Sequence, residues 1–132
     1  MKNVHVSAAI ILKGDKIFIT QRGYGEFKDF WEFPGGKIEQ GETKEEALKR
    51  EIREELKAEI NITDFLTAVS YDYESFHLEM ECFLCSLKDD HLELVEAEDA
   101  RFASLNELKN FHFLPADVIA IDALKEYLSR RN

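Results

Sequence analysis

The chain has 132 residues, 45% of them apolar and 33% charged, and its formal net charge is −10. This length and apolar fraction favour one globular domain over residues 1–132 and exclude a disordered chain, while the acidity disfavours binding to a nucleic-acid polymer or an anionic membrane. No apolar run approaches the roughly 18 residues of a membrane span, the first residues lack a signal-peptide pattern, and two cysteines are too few for a disulfide framework. We therefore expect a cytoplasmic protein.

The chain begins with a predicted hairpin. Residues 4–12 and 17–20 are rich in apolar and β-branched residues, and residues 13–16 form a turn sequence between them. A loop is expected over residues 23–29 because glycine, tyrosine and charged residues are mixed there. Residues 30–33 then form a short predicted strand, which ends at a proline followed by two glycines.

A helix is predicted over residues 43–59. Thr43, followed three residues later by Glu46, is a capping box, and Leu48, Ile52 and Leu56 share one apolar face at helical spacing. The remaining predicted elements are strands over 60–73, 76–87 and 99–103, a short helix over 105–108 and an amphipathic helix over 115–131. Helices and strands are interspersed, so the expected class is mixed α and β around one sheet.

Three carboxylates of the predicted helix, Glu51, Glu54 and Glu55, lie beside its apolar face and are neighbours on the helix surface. Like charges at this spacing repel each other, so a helix selected only for stability would have lysine among them. Hard divalent cations prefer oxygen ligands, and Mg²⁺ in particular is bound by a few carboxylates together with substrate phosphates. On helical geometry alone, a metal site and an acidic helix surface remain alternatives.

The segment around these carboxylates resembles the signature of the Nudix hydrolases. The matching residues are Gly36, Glu42, Arg50, Glu51, Ile52, Glu54 and Glu55. The signature usually has glycine where this chain has Lys57, so we expect either a left-handed lysine, at a cost of about 1 kcal/mol, or a helix that continues for another turn. The resemblance implies the Nudix fold, in which a mixed sheet is sandwiched between helices. Residues 19–22, 30–39 and 113–117 resemble the MutT-like branch, which hydrolyses nucleoside triphosphates.

The resemblance implies a site for Mg²⁺, for which Mn²⁺ can substitute. The ligands that it implies are the side chains of Glu51, Glu54, Glu55 and Glu96 and the backbone carbonyl of Gly35. The MutT-like branch takes one carboxylate from the loop before the last strand, where Glu98 and Asp99 are alternatives to Glu96. Glu42 and Arg50 match the pair that orients the ligands. Glu51 is the first candidate for the general base.

The resemblance also implies a nucleotide-binding cleft. Arg22 would bind phosphate, Phe33 would stack on the base, and Val4 and Val6 would line the same cleft. Asp117 matches the position from which some MutT-like enzymes recognise the base edge, and a carboxylate there accepts hydrogen bonds from cytosine, guanine or 8-oxoguanine. The alternatives are a solvent-facing strand end for Arg22, a core position for Phe33 and a helix cap for Asp117.

The implied activity is hydrolysis of a nucleoside triphosphate to a monophosphate and pyrophosphate, as nucleotide-pool housecleaning. The competing substrates are 8-oxo-dGTP or dGTP, and CTP or a modified dCTP. The cations would neutralise the polyphosphate, which reconciles an acidic protein with a polyanionic substrate. The alternatives are a Nudix hydrolase of ADP-ribose, a sugar nucleotide or a dinucleoside polyphosphate, and a non-catalytic binding module. We expect a monomer or homodimer without a nucleic-acid or membrane partner.

Overall fold

A computed structural model describes residues 1–131. The strands of this region are β1 (Lys2–Lys13), β2 (Lys16–Gln21), β3 (Trp31–Glu32), β4 (Gly35–Lys37), β5 (Ile60–Asp72), β6 (Phe76–Leu87) and β7 (Asp99–Ser104). The helices are α1 (Lys44–Leu56), a 3-10 helix (Leu105–Asn110) and α2 (Pro115–Arg130). No helix among the described residues is long and apolar enough to cross a membrane.

The strands form a mixed sheet with β1 at its centre, in the order β3-β2-β1-β6-β5. β1 pairs with β6 in parallel, and it pairs with β2 through the predicted hairpin, whose Gly14 has a left-handed φ of 61°. β4 pairs with β1, and β7 pairs with β2. The predicted mixed α and β class is therefore confirmed.

β1 is buried on both faces, which explains why its sequence is a continuous apolar run. Ala8 and Ile10 belong to one core, whereas Ala9 and Ile11 belong to a second core on the other face of the sheet. α2 covers the first core with Ala116, Ala120, Ile121 and Leu124, and α1 covers the second with Leu48, Ile52 and Leu56. The sheet is thus sandwiched between helices, as expected.

The two cysteines of β6 lie on opposite sides of the sheet. Cys82 packs into the α2-side core and Cys85 into the α1-side core, and both are buried free thiols. Burial raises the pKa of the Cys85 thiol to about 12, which makes it a poor nucleophile at neutral pH. These cysteines are packing residues of the strand.

The predicted helix over residues 43–59 is too long, because α1 ends at Leu56. Lys57 adopts the left-handed conformation, with φ 50° and ψ 40°, and its N–H donates to the Arg53 carbonyl at 3.0 Å. Of the two alternatives for this position, the left-handed lysine is therefore correct. At the other end, Thr43 and Glu46 form the predicted capping box, which confirms the start of the helix.

The glycines after Pro34 form a strand that was not predicted. β4 pairs with β1 at Ser7 and Ala8, and a Cβ at Gly35 would lie only 2.0 Å from the Ser7 carbonyl oxygen. The pairing needs this close approach of the two backbones. Strand propensities do not reflect such an approach, so the strand was not predicted. Ser7 also donates its hydroxyl hydrogen to the Lys44 carbonyl at 2.8 Å, so β1 is tied to both β4 and the first turn of α1.

Candidate active site

A cavity of about 750 Å³ opens between β1, the β3–β4 segment, α1 and the loop before β7. The residues predicted for the site that line it are Val4, Val6, Arg22, Phe33, Gly35, Glu51, Glu55, Glu96 and Asp117. The remaining predicted residues, Glu42, Arg50 and Glu54, lie next to this lining because Arg50 contacts Glu51. The fold therefore brings together residues from all parts of the sequence.

The three predicted metal-binding carboxylates of α1 differ in their environments. The Glu54 side chain is 55% exposed, the Glu51 side chain is 18% exposed, and Glu55 has a buried oxygen, Oε2, without a hydrogen-bond partner among residues 1–131. Glu55 is the most buried of the three because it lies closest to the apolar face of the helix. Burial raises the pKa of Glu55 to about 8, with further contributions from the charges of Glu51, Glu32 and Glu96.

Arg50 forms hydrogen bonds with Glu51 and Glu54, the other two predicted metal-binding carboxylates of α1. Its guanidinium donates to Glu51 at 2.9 Å and to Glu54 at 3.0 Å, and it forms two hydrogen bonds with Glu42, at 2.6 and 2.9 Å. It also donates to the Lys37 carbonyl at 3.0 Å. The hydrogen bonds from Arg50 lower the pKa of Glu42 to about 2. Arg50 thus links α1 to the segment before it, in the arrangement expected of an orienting pair.

The acidic part of the cavity fits a divalent cation. Glu55 supplies an unpaired, buried carboxylate oxygen, which is costly unless a positive charge compensates for it. A Cβ at Gly36 would lie 2.3 Å from the Glu51 carboxyl carbon, so this glycine leaves room for Glu51. The available donors are hard oxygen atoms, which Mg²⁺ and Mn²⁺ prefer. Within residues 1–131, no three histidine, cysteine, aspartate or glutamate side chains are already arranged to bind a metal ion. Glu51 and Glu54 instead form hydrogen bonds with Arg50.

Glu96 lines the cavity, whereas its two alternatives do not. Glu98 pairs with Lys28 at 3.4 Å, and Asp99 pairs with Arg101 at 2.5 Å. Glu96 accepts a hydrogen bond from the Tyr24 hydroxyl at 3.2 Å, and its charge contributes to the raised pKa values of Glu51 and Glu55. Of the three carboxylates, Glu96 is therefore the one placed opposite α1.

Arg22 lies in the cavity and pairs with Glu32, so the alternative of a solvent-facing strand end does not describe it. The guanidinium donates two hydrogen bonds to the Glu32 carboxylate, at 2.7 and 3.1 Å. Glu32 was missed by the sequence reasoning, because a glutamate next to a short strand carries no distinctive signal. Its charge raises the pKa values of both Glu55 and Asp117, which places it between the acidic part of the cavity and the buried aspartate.

Asp117 is buried and bonds outside its own helix. It is the third residue of α2, only 4% exposed, and its carboxylate accepts a 2.8 Å hydrogen bond from the Phe33 N–H. Because Leu114 is the N-cap of α2, the alternative of Asp117 as that cap is wrong. Burial, followed by the charge of Glu32, raises the pKa of Asp117 to about 8. The raised pKa favours the protonated form of the group, and a protonated carboxyl group can donate a hydrogen bond as well as accept one.

Three aromatic side chains, Phe27, Tyr73 and Phe76, also line the cavity. The ring of Tyr73 lies 5.2 Å from Phe27 and 5.0 Å from Phe76, measured between centroids. Phe33 is buried, packs 5.8 Å from Phe113, and lines the cavity as well, so it combines both of the roles considered for it. Sequence reasoning did not select Phe27, since a lone phenylalanine in a loop has no pattern to identify it.

Most of the chain is similar to known proteins of one family. The family model described as "NUDIX domain" matches residues 1–124. The 8-oxo-dGTP diphosphatase of Escherichia coli K12 is 31% identical over 127 residues, 95% of this chain and 98% of that protein. The CTP pyrophosphohydrolase of the same strain is 30% identical over 126 residues, 93% of this chain and 92% of that protein.

A solved structure of a MutT Nudix hydrolase from Burkholderia pseudomallei superposes with a TM-score of 0.85 and 23% identity, covering 93% of this chain and 98% of that one. This structural likeness shows the fold. Nudix hydrolases generally need a divalent metal, in agreement with the unpaired Glu55 oxygen. The domain match and the two full-length relatives confirm the resemblance seen in the sequence: this chain belongs to the Nudix family of hydrolases.

Proposed function

We propose that this chain is a Mg²⁺-dependent nucleoside triphosphate pyrophosphohydrolase, which converts a (d)NTP to a (d)NMP and pyrophosphate. The observation that carries the proposal is one cavity that contains both the Glu55 carboxylate, whose buried Oε2 has no hydrogen-bond partner within residues 1–131, and the buried Asp117 beside aromatic rings. The Glu55 carboxylate suits a cation with its bound phosphates, and Asp117 with the aromatic rings suits a nucleotide base. The names of the two full-length relatives, both of which act on nucleotides, support this substrate class.

The proposed metal ligands are Glu51, Glu54, Glu55, Glu96 and the Gly35 carbonyl. When bound, the metal would neutralise the polyphosphate and lower the pKa of the attacking water. The protein provides a buried position for Glu55, and Arg50 orients Glu51 and Glu54 through hydrogen bonds of 2.9 and 3.0 Å. Glu42 in turn holds Arg50.

In the proposed reaction a water oxygen bonds to a phosphorus atom of the triphosphate, and the anhydride P–O bond breaks. Glu51 accepts the water proton, since burial already raises its pKa above the usual range of a carboxylate. Arg22 binds a phosphate, and it does so in competition with Glu32, which lies 2.7 Å from it. The bond that breaks joins the α- and β-phosphates, so the products are a nucleoside monophosphate and pyrophosphate, one of which carries the oxygen of the attacking water.

The base is proposed to lie among Val4, Val6, Phe33 and Asp117. Asp117 accepts a hydrogen bond from Phe33, and its raised pKa favours a protonated form that can meet either a donor or an acceptor on a base edge. This property is compatible with 8-oxo-dGTP or dGTP and with CTP or a modified dCTP. We propose a housecleaning role on free nucleotides in the cytoplasm, performed by a monomer or homodimer.

The test is a Mg²⁺-dependent turnover panel that compares pyrophosphate with phosphate release. It contains the four NTPs, the four dNTPs, 8-oxo-dGTP, 5-methyl-dCTP, ADP-ribose and diadenosine tetraphosphate. Pyrophosphate with a monophosphate from one triphosphate, abolished by EDTA, is the expected result and identifies the base. Turnover of ADP-ribose or the dinucleotide alone would overturn the triphosphate proposal, and nucleotide binding without turnover would indicate a binding module.

A further inference from the structure

The first turn of α2 is capped by a side chain from a distant strand. The first N–H groups of a helix have no partner within the helix, and Leu114, the N-cap of α2, provides no side-chain acceptor. Ala116 is fully buried, so water does not reach its N–H. The hydroxyl oxygen of Tyr73, which follows β5, accepts this N–H at 3.1 Å.

The Tyr73 side chain is held on several sides. Its ring stacks on Phe76 at 5.0 Å with an interplanar angle of 26°, and it contacts Phe27 at 5.2 Å and Tyr71 at 4.7 Å. Its own N–H donates to the Phe76 carbonyl at 2.9 Å. Backbone and ring are both constrained, so the hydroxyl oxygen occupies a defined position at the cavity wall.

The residue after Ala116 is Asp117, the proposed contact to the base. Its carboxylate accepts a hydrogen bond from the Phe33 N–H at 2.8 Å. The position of this carboxyl group therefore depends on two contacts from outside α2: the Phe33 amide acts on it directly, and Tyr73 acts through Ala116. We propose that Tyr73 is a positioning residue for base selection, whose hydroxyl sets where Asp117 meets the base. This inference rests on the proposed function.

The hydroxyl remains a neutral group under assay conditions. Burial raises the pKa of Tyr73 to about 12, and the nearby Asp117 charge contributes to this shift. The hydrogen bond to Ala116 thus persists over the pH range in which turnover is measured.

The test combines Tyr73→Phe, Asp117→Ala and the double variant, all assayed with Mg²⁺ on the nucleotide panel. Tyr73→Phe keeps the ring contacts and removes the hydroxyl. The matched control is Tyr71→Phe: the Tyr71 ring contacts Tyr73, but among the described residues its hydroxyl forms no hydrogen bond, and it does not line the cavity. Thermal unfolding of every variant separates loss of stability from loss of selectivity.

Tyr73→Phe is expected to change the ratio of kcat/KM between purine and pyrimidine triphosphates by about threefold or more. Asp117→Ala is expected to change it further, and Tyr73→Phe is then expected to add little in the Asp117→Ala background, because the hydroxyl acts through that carboxyl group. Tyr71→Phe leaves the ratio unchanged.

Two results would overturn the inference while the proposed function stands: a wild-type ratio in Tyr73→Phe despite a lowered Tm, or an equal effect of Tyr73→Phe with and without Asp117. Absence of pyrophosphate release from every nucleotide by the wild-type protein would instead overturn the proposed function, and the inference with it.

Discussion

Gly36 and Glu51 occupy complementary space across the cavity wall. A Cβ at Gly36 would lie 2.3 Å from the carboxyl carbon of Glu51 and 2.4 Å from its Oε2, both far closer than van der Waals contact. The constraint at neighbouring Gly35 is different, because a Cβ there would lie 2.0 Å from the Ser7 carbonyl oxygen of β1. Gly35 permits strand pairing, and Gly36 leaves space for a proposed catalytic carboxylate.

Replacing Gly36 with alanine is expected to reduce turnover by at least about tenfold, because displacement of a reacting group by about 1 Å is sufficient for such losses. Stability is expected to change little, since the displaced group is the end of a flexible side chain. The control is Gly14→Ala. A Cβ at Gly14 would have no other atom within 4 Å, but the residue has a φ of +61°. That variant is expected to lose about 1 kcal/mol of stability and retain wild-type turnover. Full turnover in folded Gly36→Ala would contradict the prediction.

Glu54→Gln is expected to lower Mg²⁺-dependent turnover by at least about 10²-fold, because it removes a charge from the proposed metal site. The fold is expected to persist: the Glu54 side chain is 55% exposed, and the glutamine oxygen can still accept from Arg50. Glu45→Gln, an exposed change in the first turn of the same helix, serves as the control. Steady-state kinetics measure turnover, and thermal unfolding shows whether the variant is folded. Near-normal turnover in the folded variant would refute the assignment of Glu54 as a metal ligand.

Asp117→Asn is expected to stabilise the metal-free protein increasingly as pH rises. Burial raises the pKa of Asp117 from 3.8 to about 8. The unfolded carboxyl group therefore loses its proton at a lower pH than the folded one, and stability falls as pH increases through this window. Asparagine has no such ionisation and retains an oxygen to accept the Phe33 N–H. The expected gain at pH 8 is at least about 1 kcal/mol.

Urea unfolding of wild type and Asp117→Asn at pH 5 and pH 8, both with EDTA, measures this effect. The gain should be larger at the higher pH. A gain that is constant with pH would show that the carboxyl group ionises with an ordinary pKa, and a gain that shrinks as pH rises would show that folding lowers its pKa.

Lys57→Gly is expected to raise the free energy of unfolding by about 0.5–1 kcal/mol. Lys57 is left-handed, with φ 50°, which strains a residue with a Cβ, whereas glycine adopts this conformation freely. The larger entropy of glycine in the unfolded chain offsets part of the gain. Denaturant unfolding measures the change, and kcat should remain at its wild-type value because Lys57 does not line the cavity. A destabilised variant would indicate that the lysine side chain itself contributes to the fold.

Much of α1 could be predicted because its signals are local. The capping box at Thr43 and Glu46 and the apolar spacing of Leu48 and Ile52 depend on near neighbours in the sequence, and the structure has both features. The end of the helix could not be predicted with the same certainty. Whether Lys57 turns left-handed depends on the sheet position that β5 must reach, which is a tertiary constraint.

The parts of the cavity that sequence reasoning missed come from contacts between distant segments. Glu32 acquires its place through two hydrogen bonds from Arg22. A glutamate beside a strand is ordinary, so its position has no local pattern. Asp117 illustrates the same limit: its location was predicted, but its raised pKa follows from burial and from Glu32.

The sequence by itself determined the class of the fold, the main helix and the group of glutamates on it, because periodicity, capping and motif spacing are properties of adjacent residues. Only the tertiary structure decided which of those glutamates has a buried oxygen without a hydrogen-bond partner within residues 1–131, which loop carboxylate lies opposite them, and how Asp117 is held. These properties depend on burial and on electrostatic interactions between segments far apart in the chain. Such interactions do not exist until the chain has folded.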